Sequence, residues 1–240
     1  MPTKYKTLLI VALATAIFAA KSFAAEAAEG GKSLISKDLS GWKVKDPKNT
    51  TTWKIVSEVK LDPADPKKLV GTGDGSDNPV LFRSPTAHGS DILTEADFGD
   101  CELHVEFVVP KGANSGVYLQ GRYEVQVFDS FGRADDKVGT GDVGAVYNTA
   151  KPTSNASKPP GEWQSFDIIF QAPKFENGKK TQNAKFISVK LNGKEIQSNV
   201  EAKAPTGGQI SDQEVPKGPL LFQGDHGIVA FRSVRIKEKE

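Results

Sequence analysis

The sequence predicts an all-β sandwich, and three observations carry that reading. Short runs with period-2 alternation recur along the chain between Gly, Pro, Asn and Asp turn residues. No stretch beyond residue 24 sustains a 3.6-residue apolar period, so the helical alternatives lose their main signal. The length also fits, because a single sandwich can extend to about 200 residues without dividing.

The first element stands apart from that fold. Lys4 and Lys6 precede an apolar run from Leu8 to Ala20, followed by the small residues Ser22 and Ala24. This is the pattern of a secretory signal peptide over residues 1–24, leaving a single domain over 25–240 and a periplasmic or secreted location. The apolar run falls short of the roughly 20 residues that a resident spanning helix needs, so no membrane insertion is expected. Cleavage removes Lys4, Lys6 and Lys21; 31 basic residues less 3 leaves 28 against 30 acidic. A net charge of about −2 argues against nucleic acid as a partner. Cys101 is the only cysteine, so no intramolecular disulfide forms and its place at the start of an apolar strand predicts a buried structural thiol.

The expected strands run in order: 51–56, 80–83, 102–109, 116–119, 123–128, 144–147, 165–171, 184–191, 195–198, 219–223 and 229–236. Glu102, His104 and Glu106 alternate with Leu103, Val105 and Phe107, so this strand has one polar and one apolar face. In 123–128, Tyr123, Val125 and Val127 take one face and send Arg122, Glu124 and Gln126 to the other. Asn192-Gly193 predicts a type I′ hairpin with Leu191 opposite Lys194 and Val189 opposite Ile196. Val229 and Phe231 differ in parity from Val234 and Ile236, which predicts a bulge at Arg232-Ser233. Two long loops are expected, 60–78 and 148–162, the second capping one end of the sandwich. Gly71 to Gly75 lacks a following helix and reads as a turn rather than a phosphate loop.

Seven polar residues at strands or short turns carry the chemistry: Glu124, Gln126, Asp129, Asp142, Tyr147, His226 and Arg232. Each also has an ordinary structural reading. Glu124 and Gln126 could face water from a half-exposed sheet, and Asp129 and Asp142 sit where Asp commonly starts a turn. Trp163 could stack on a sugar or pack in the core. No nucleophile elbow, zinc helix, phosphate loop or dinucleotide fingerprint is present.

The order of larger segments is more specific. LISKDLSGWKV from Leu34, then LTEADFGDCELHVEFVVPKGANSGVYLQGRYEVQVFDSFG, GDVGAVY, NASKPPGEWQSFDIIFQAPKF, VKLNGKEIQ, TGG and GPLLFQGDHGIVAFRSVRI together resemble the 3-keto-disaccharide hydrolase domain family over roughly Ser33 to Lys237. The resemblance implies a concanavalin A-like jelly roll of the lectin/glucanase type, with a polar site on the concave sheet. It also implies substrates already oxidised at sugar C3 by a partner sugar 3-oxidoreductase. A base would then take the acidified C2 hydrogen, the C1 group would leave by β-elimination, and water would add back.

Under that resemblance Glu124 or His226 is the candidate base, and Arg232 or a bound divalent cation the electrophile. Asp142 or Tyr147 would give a proton or position the sugar; Asn114, Gln126, Asp129 and Trp163 are candidate sugar contacts. Asp142, Glu124 and His226 are the candidate ligands of a hard cation. Two other classes compete: a carbohydrate-binding module on the same fold, and a glycosidase with paired carboxylates on unoxidised glycans.

Overall fold

The structure is a computed structural model that describes residues 30–48, 51–84 and 89–239. The signal-peptide expectation lies outside the described residues. Seventeen strands follow in order: β1 Lys32–Ser33, β2 Trp42–Val44, β3 Trp53–Val56, β4 Glu58–Leu61, β5 Leu69–Thr72, β6 Val80–Arg83, β7 Ile92–Phe98, β8 Cys101–Val108 and β9 Asn114–Leu119. The rest are β10 Tyr123–Phe128, β11 Gln164–Gln171, β12 Lys174–Glu176, β13 Lys179–Gln182, β14 Ala184–Leu191, β15 Lys194–Ala202, β16 Gly218–Phe222 and β17 Ala230–Glu238.

Two antiparallel sheets stack face to face. The larger has the order β15-β14-β11-β8-β17-β6-β3 with β1 added on β17, and the smaller has the order β10-β9-β16-β7-β2. Because side chains alternate along each strand, one row from each sheet fills the space between them. Leu103, Val105, Phe107, Phe166, Ile168 and Phe231 supply the larger sheet's row; Val117, Leu119, Tyr123, Val125, Val127 and Phe222 supply the smaller one's. Phe222 and Phe231 stack across the sheets at 4.2 Å between centroids, extended by Trp42 against Phe222 at 5.1 Å and Trp53 against Phe231 at 6.0 Å. Each such ring contributes about 1.5–3 kcal/mol by burial. Cys101 is fully buried in the same core, and burial pushes its thiol up to about 12. It is a packing residue.

The expected strands 80–83, 123–128 and 184–191 match β6, β10 and β14. Three expectations are corrected. The 60–78 loop contains most of a hairpin, β4 against β5, whose Val59 and Leu69 cover Val56, Val80, Phe82, Val108 and Ala230 on the outer face of the larger sheet. Residues 144–147 form no strand: Val146 makes isolated bridges to Val125 and to Ala150, and the segment otherwise edges β10 with turns. Val189 pairs with Gln197 rather than Ile196, because the register shifts between Val189 and Lys190. The turn itself is as expected, with Asn192 at φ 53° and Gly193 at φ 82°, and Leu191 pairs with Lys194. The bulge in β17 is also present: the register shifts between Arg232 and Arg235, and Ser233 adopts φ 51°.

Candidate active site

The outer face of the smaller sheet is built from the alternate residues that do not enter the core. Tyr123, Val125 and Val127 of β10 point inward, so Glu124 and Gln126 point outward. Register brings Tyr118 opposite Glu124 and Gly116 opposite Gln126. Leu221 of β16 pairs with both Tyr118 and Leu93, and Gln223 continues the row by donating its backbone N–H to the Gly116 carbonyl at 3.0 Å. Asp91 precedes β7, and its carbonyl accepts the Lys45 N–H at 3.0 Å. Glu124 thus shares this face with residues of β9 and β16 and with Gln223, Asp91 and Lys45 at the ends of β16, β7 and β2.

Gly116 is required at the centre. A Cβ there would lie 2.2 Å from Glu124 Oε1, so glycine clears the space into which the carboxyl folds. The edge of β10 is closed around it: Glu124 N–H donates to Thr206 Oγ1 at 3.0 Å, and its carbonyl accepts the Tyr147 N–H at 3.1 Å. Thr206-Gly207-Gly208 therefore runs across this face, with Lys45 Nζ donating to the Gly208 carbonyl at 2.8 Å.

Glu124 is only 2% exposed. Burial pushes its carboxyl up to about 8; the charges of Asp91 and Asp225 add to that, and a hydrogen bond with Tyr118 opposes it. No cation is among the groups that act on it. Such a group holds a proton at neutral pH and gives or takes one readily. Burial, with the Glu124 charge, likewise raises Tyr118. Asp91 Oδ2 pairs with Lys45 Nζ at 3.1 Å, and its Oδ1 accepts the Gly224 N–H at 3.0 Å. Around this group, Asn114 Oδ1, Gln126 Oε1 and Gln223 Oε1 are buried acceptors without a partner. Unpaired buried acceptors are costly, and a hydroxyl-rich ligand would satisfy them.

The expected residues divide. Glu124, Gln126 and Asn114 share this face; Tyr147 flanks it beside Gly207. His226 lies on the exposed turn at the rim, its Nδ1 hydrogen-bonded to Asp225, whose charge reaches Glu124. Asp142 is corrected to a structural residue. Its carboxylate accepts from Ser130 Oγ at 2.7 Å, Arg133 Nη1 at 2.9 Å and the Gly139 N–H at 2.7 Å, which leaves it committed to its own loop. Asp129 likewise accepts from the Gly112 and Phe131 N–H groups as a turn residue.

Arg232 and Trp163 are corrected more sharply. Arg232 pairs with Glu106 at 2.6 Å on the outer face of the larger sheet and stacks over Trp163, 4.1 Å from the ring centroid. The whole core separates them from Glu124, so neither serves the same sugar. Sequence reasoning missed Asp91, Tyr118, Gln223, Asp225 and Lys45. Asp225 stood in the quoted Gly-Asp-His-Gly segment, and Tyr118 shared a strand parity with Gly116; Lys45 and Asp91 carried no local signal.

Among the described residues, no group of three or more His, Cys, Asp or Glu is arranged to hold a metal ion. With Asp142 bound elsewhere, the expected set of Asp142, Glu124 and His226 does not assemble. No described helix is long and apolar enough to cross a membrane.

Comparison with known proteins agrees with this architecture. Three crystal structures of candidate glycosyl hydrolases from Parabacteroides distasonis are similar. The first is 26% identical, covers 87% of this chain and 84% of its own, and superposes with a TM-score of 0.62. The second is 20% identical over 87% and 98%, TM-score 0.55, and the third 19% over 88% and 95%, TM-score 0.56; these two show the fold alone. No curated protein matches. The profile of the 3-keto-alpha-glucoside-1,2-lyase-like domain matches residues 30–237, and the chain belongs to that family.

Proposed function

We propose that this protein is an exported carbohydrate-active enzyme that cleaves glycosides already oxidised to a ketone at C3. The observation that carries the reading is Glu124, a buried carboxyl pushed up to about 8 and ringed by unpartnered amide oxygens. A ketone at C3 acidifies the C2 hydrogen, so a carboxylate of raised proton affinity is a suitable base.

In the first step Glu124 takes the C2 proton, and the C2–H electron pair forms the enolate with its charge on the C3 oxygen. Lys45 is the cation of this face and stabilises that oxygen electrostatically. The enolate then re-forms the C3 carbonyl as C1=C2 forms and the C1–O bond breaks. His226, oriented by Asp225, gives the departing oxygen its proton. Water then adds its oxygen to C1 and gives up a proton to His226, restoring it, while Glu124 returns the abstracted proton to C2, giving net hydrolysis. Gln126, Asn114 and Gln223 accept hydrogen bonds from sugar hydroxyls, and Tyr147 borders the leaving group. A sugar 3-oxidoreductase supplies the ketone, and export follows from the N-terminal segment, into the periplasm or outside the cell.

The test incubates the purified protein with a 3-keto-glucoside and with its unoxidised parent in D2O, following both by NMR. Release from the ketone alone, with deuterium entering C2, is the expected result. Cleavage of the parent alone would instead identify an ordinary glycosidase, and saturable shifts without cleavage a binding module.

A further inference from the structure

The opposite face of the molecule carries a cleft of about 980 Å³ that the chemistry at Glu124 does not use. It opens between the β4 strand, the segment from β1 to Ile35 and the bulge of β17, and its lining includes Trp163, Arg232, Arg235, Ser33, Ser57 and Asn78. Its size is at the upper end of ordinary ligand sites, roughly 300–1,000 Å³.

The bulge explains why two guanidinium groups meet there. Regular alternation would send Arg235 to the face opposite Arg232. The extra residue, with Ser233 at φ 51°, keeps Val234 and Ile236 in the core and turns both arginines outward. Arg232 is held from behind by an alternating chain. Asp167 Oδ1 lies 2.7 Å from His104 Nδ1, His104 Nε2 lies 3.8 Å from Glu106 Oε1, and Glu106 Oε2 accepts from Arg232 Nε at 2.6 Å. Trp163 beneath the guanidinium fixes its plane. Only Nε is spent in that chain; the two terminal nitrogens of this cleft-lining arginine have no hydrogen-bond partner among the described residues. Lys60 pairs with Glu58 at 2.9 Å, and Glu106 offsets the charge of Arg232 while leaving its terminal nitrogens as donors, so the net positive charge of the lining comes from Arg235. Arg235 forms no ion pair among the described residues and remains exposed.

A planar, rigidly held guanidinium is matched to a carboxylate. Hydroxyl and amide groups at Ser33, Ser57 and Asn78 are matched to sugar hydroxyls, and Ile35, Val59, Leu61 and Pro79 to the apolar faces of sugar rings. We propose that this cleft is a second, non-reacting carbohydrate site that holds an oligosaccharide carrying carboxylates, with Arg232 and Arg235 on the acid group. It would keep the enzyme on an acidic glycan while the other face works.

Calorimetric titration of the full chain with α-1,4-linked trigalacturonate and with its methyl ester tests this. One site per chain is expected, with the ester at least tenfold weaker. Arg235→Ala, checked for fold by circular dichroism, should weaken the acid about tenfold and leave cleavage of the 3-keto-glucoside unchanged. Arg232→Lys should weaken it similarly, because the charge stays while the planar fork is lost. Glu124→Gln should leave the acid's affinity unchanged. Equal affinity for acid and ester, no binding of either, or loss of binding in Glu124→Gln would each overturn the proposal.

Discussion

The two outer faces of this sandwich treat charge in opposite ways. On the larger sheet, Asp167, His104, Glu106 and Arg232 alternate in sign, and each charge is answered by the next. Burial works against charging His104, but Asp167 and Glu106 outweigh it and raise the imidazole to about 9; the His104 hydrogen bond and Arg232 hold Glu106 down at about 2, against burial. On the smaller sheet, Glu124 meets burial and two further carboxylates, and Lys45 pairs with Asp91 rather than with Glu124. The lesson is that pairing stabilises the folded state, whereas a buried carboxyl left unpaired keeps its proton affinity available for chemistry.

The largest test of that contrast is Glu124→Gln. Turnover of a 3-keto-glucoside should fall by about 10²–10⁴-fold, the range of general acid–base catalysis, with sugar affinity measured by NMR titration changed little. Equal turnover would remove Glu124 as the base. Next, Gly116→Ala should cut turnover by about 10²-fold, because a Cβ 2.2 Å from Glu124 Oε1 makes the carboxyl swing out of its place. An unchanged rate would mean that Glu124 works from another position.

The pH profile sharpens the comparison further. Below about 8 Glu124 is mostly protonated, so where C2 proton removal limits the rate kcat/KM should rise about tenfold per pH unit towards that value. Stability runs the other way. The folded state binds this proton more tightly than the unfolded chain, so stability is fullest below the unfolded carboxyl value and declines as pH rises to about 8. Glu124→Gln should therefore raise Tm at pH 8.5 by about 5 °C and by little at pH 4.5, as scanning calorimetry would show.

The paired face gives the smallest effect on activity and a clear effect on stability. Asp167→Asn should leave turnover intact while lowering stability by about 1–3 kcal/mol, since it weakens a buried charge-assisted hydrogen bond. His104 contributes stability that is present below its unfolded value and lost as pH rises through about 9, and Glu106 contributes stability lost as pH falls through about 2. Asp167→Asn should flatten the alkaline side in denaturant titrations. A loss of turnover equal to that of Glu124→Gln would collapse the distinction between the faces.

Much of the fold was legible in particular residues. Tyr123 to Phe128 and Ala184 to Leu191 alternate cleanly, and Asn192-Gly193 announces its turn. β7 was missed because its burial runs as three buried residues, three exposed and one buried, with no period of two. β4 and β5 were missed because Pro63, Pro66 and a run of charges lie between and within them. At the site, Glu124, Gln126 and Asn114 were visible as outward residues of strands, and the bulge that turns Arg232 was visible as a parity change.

Sequence alone determined the sandwich class, the family resemblance and which residues of a strand share a face, because alternation is a local property of extended backbone. Only the tertiary structure decided which sheet each strand joins, because pairing is made between residues far apart in the chain. That decision carried Arg232 and Trp163 to one side of the core and Glu124 to the other. It also gathered Lys45, Asp91, Tyr118 and Asp225 around Glu124, whose proton affinity depends on burial and neighbouring charge that no local pattern records.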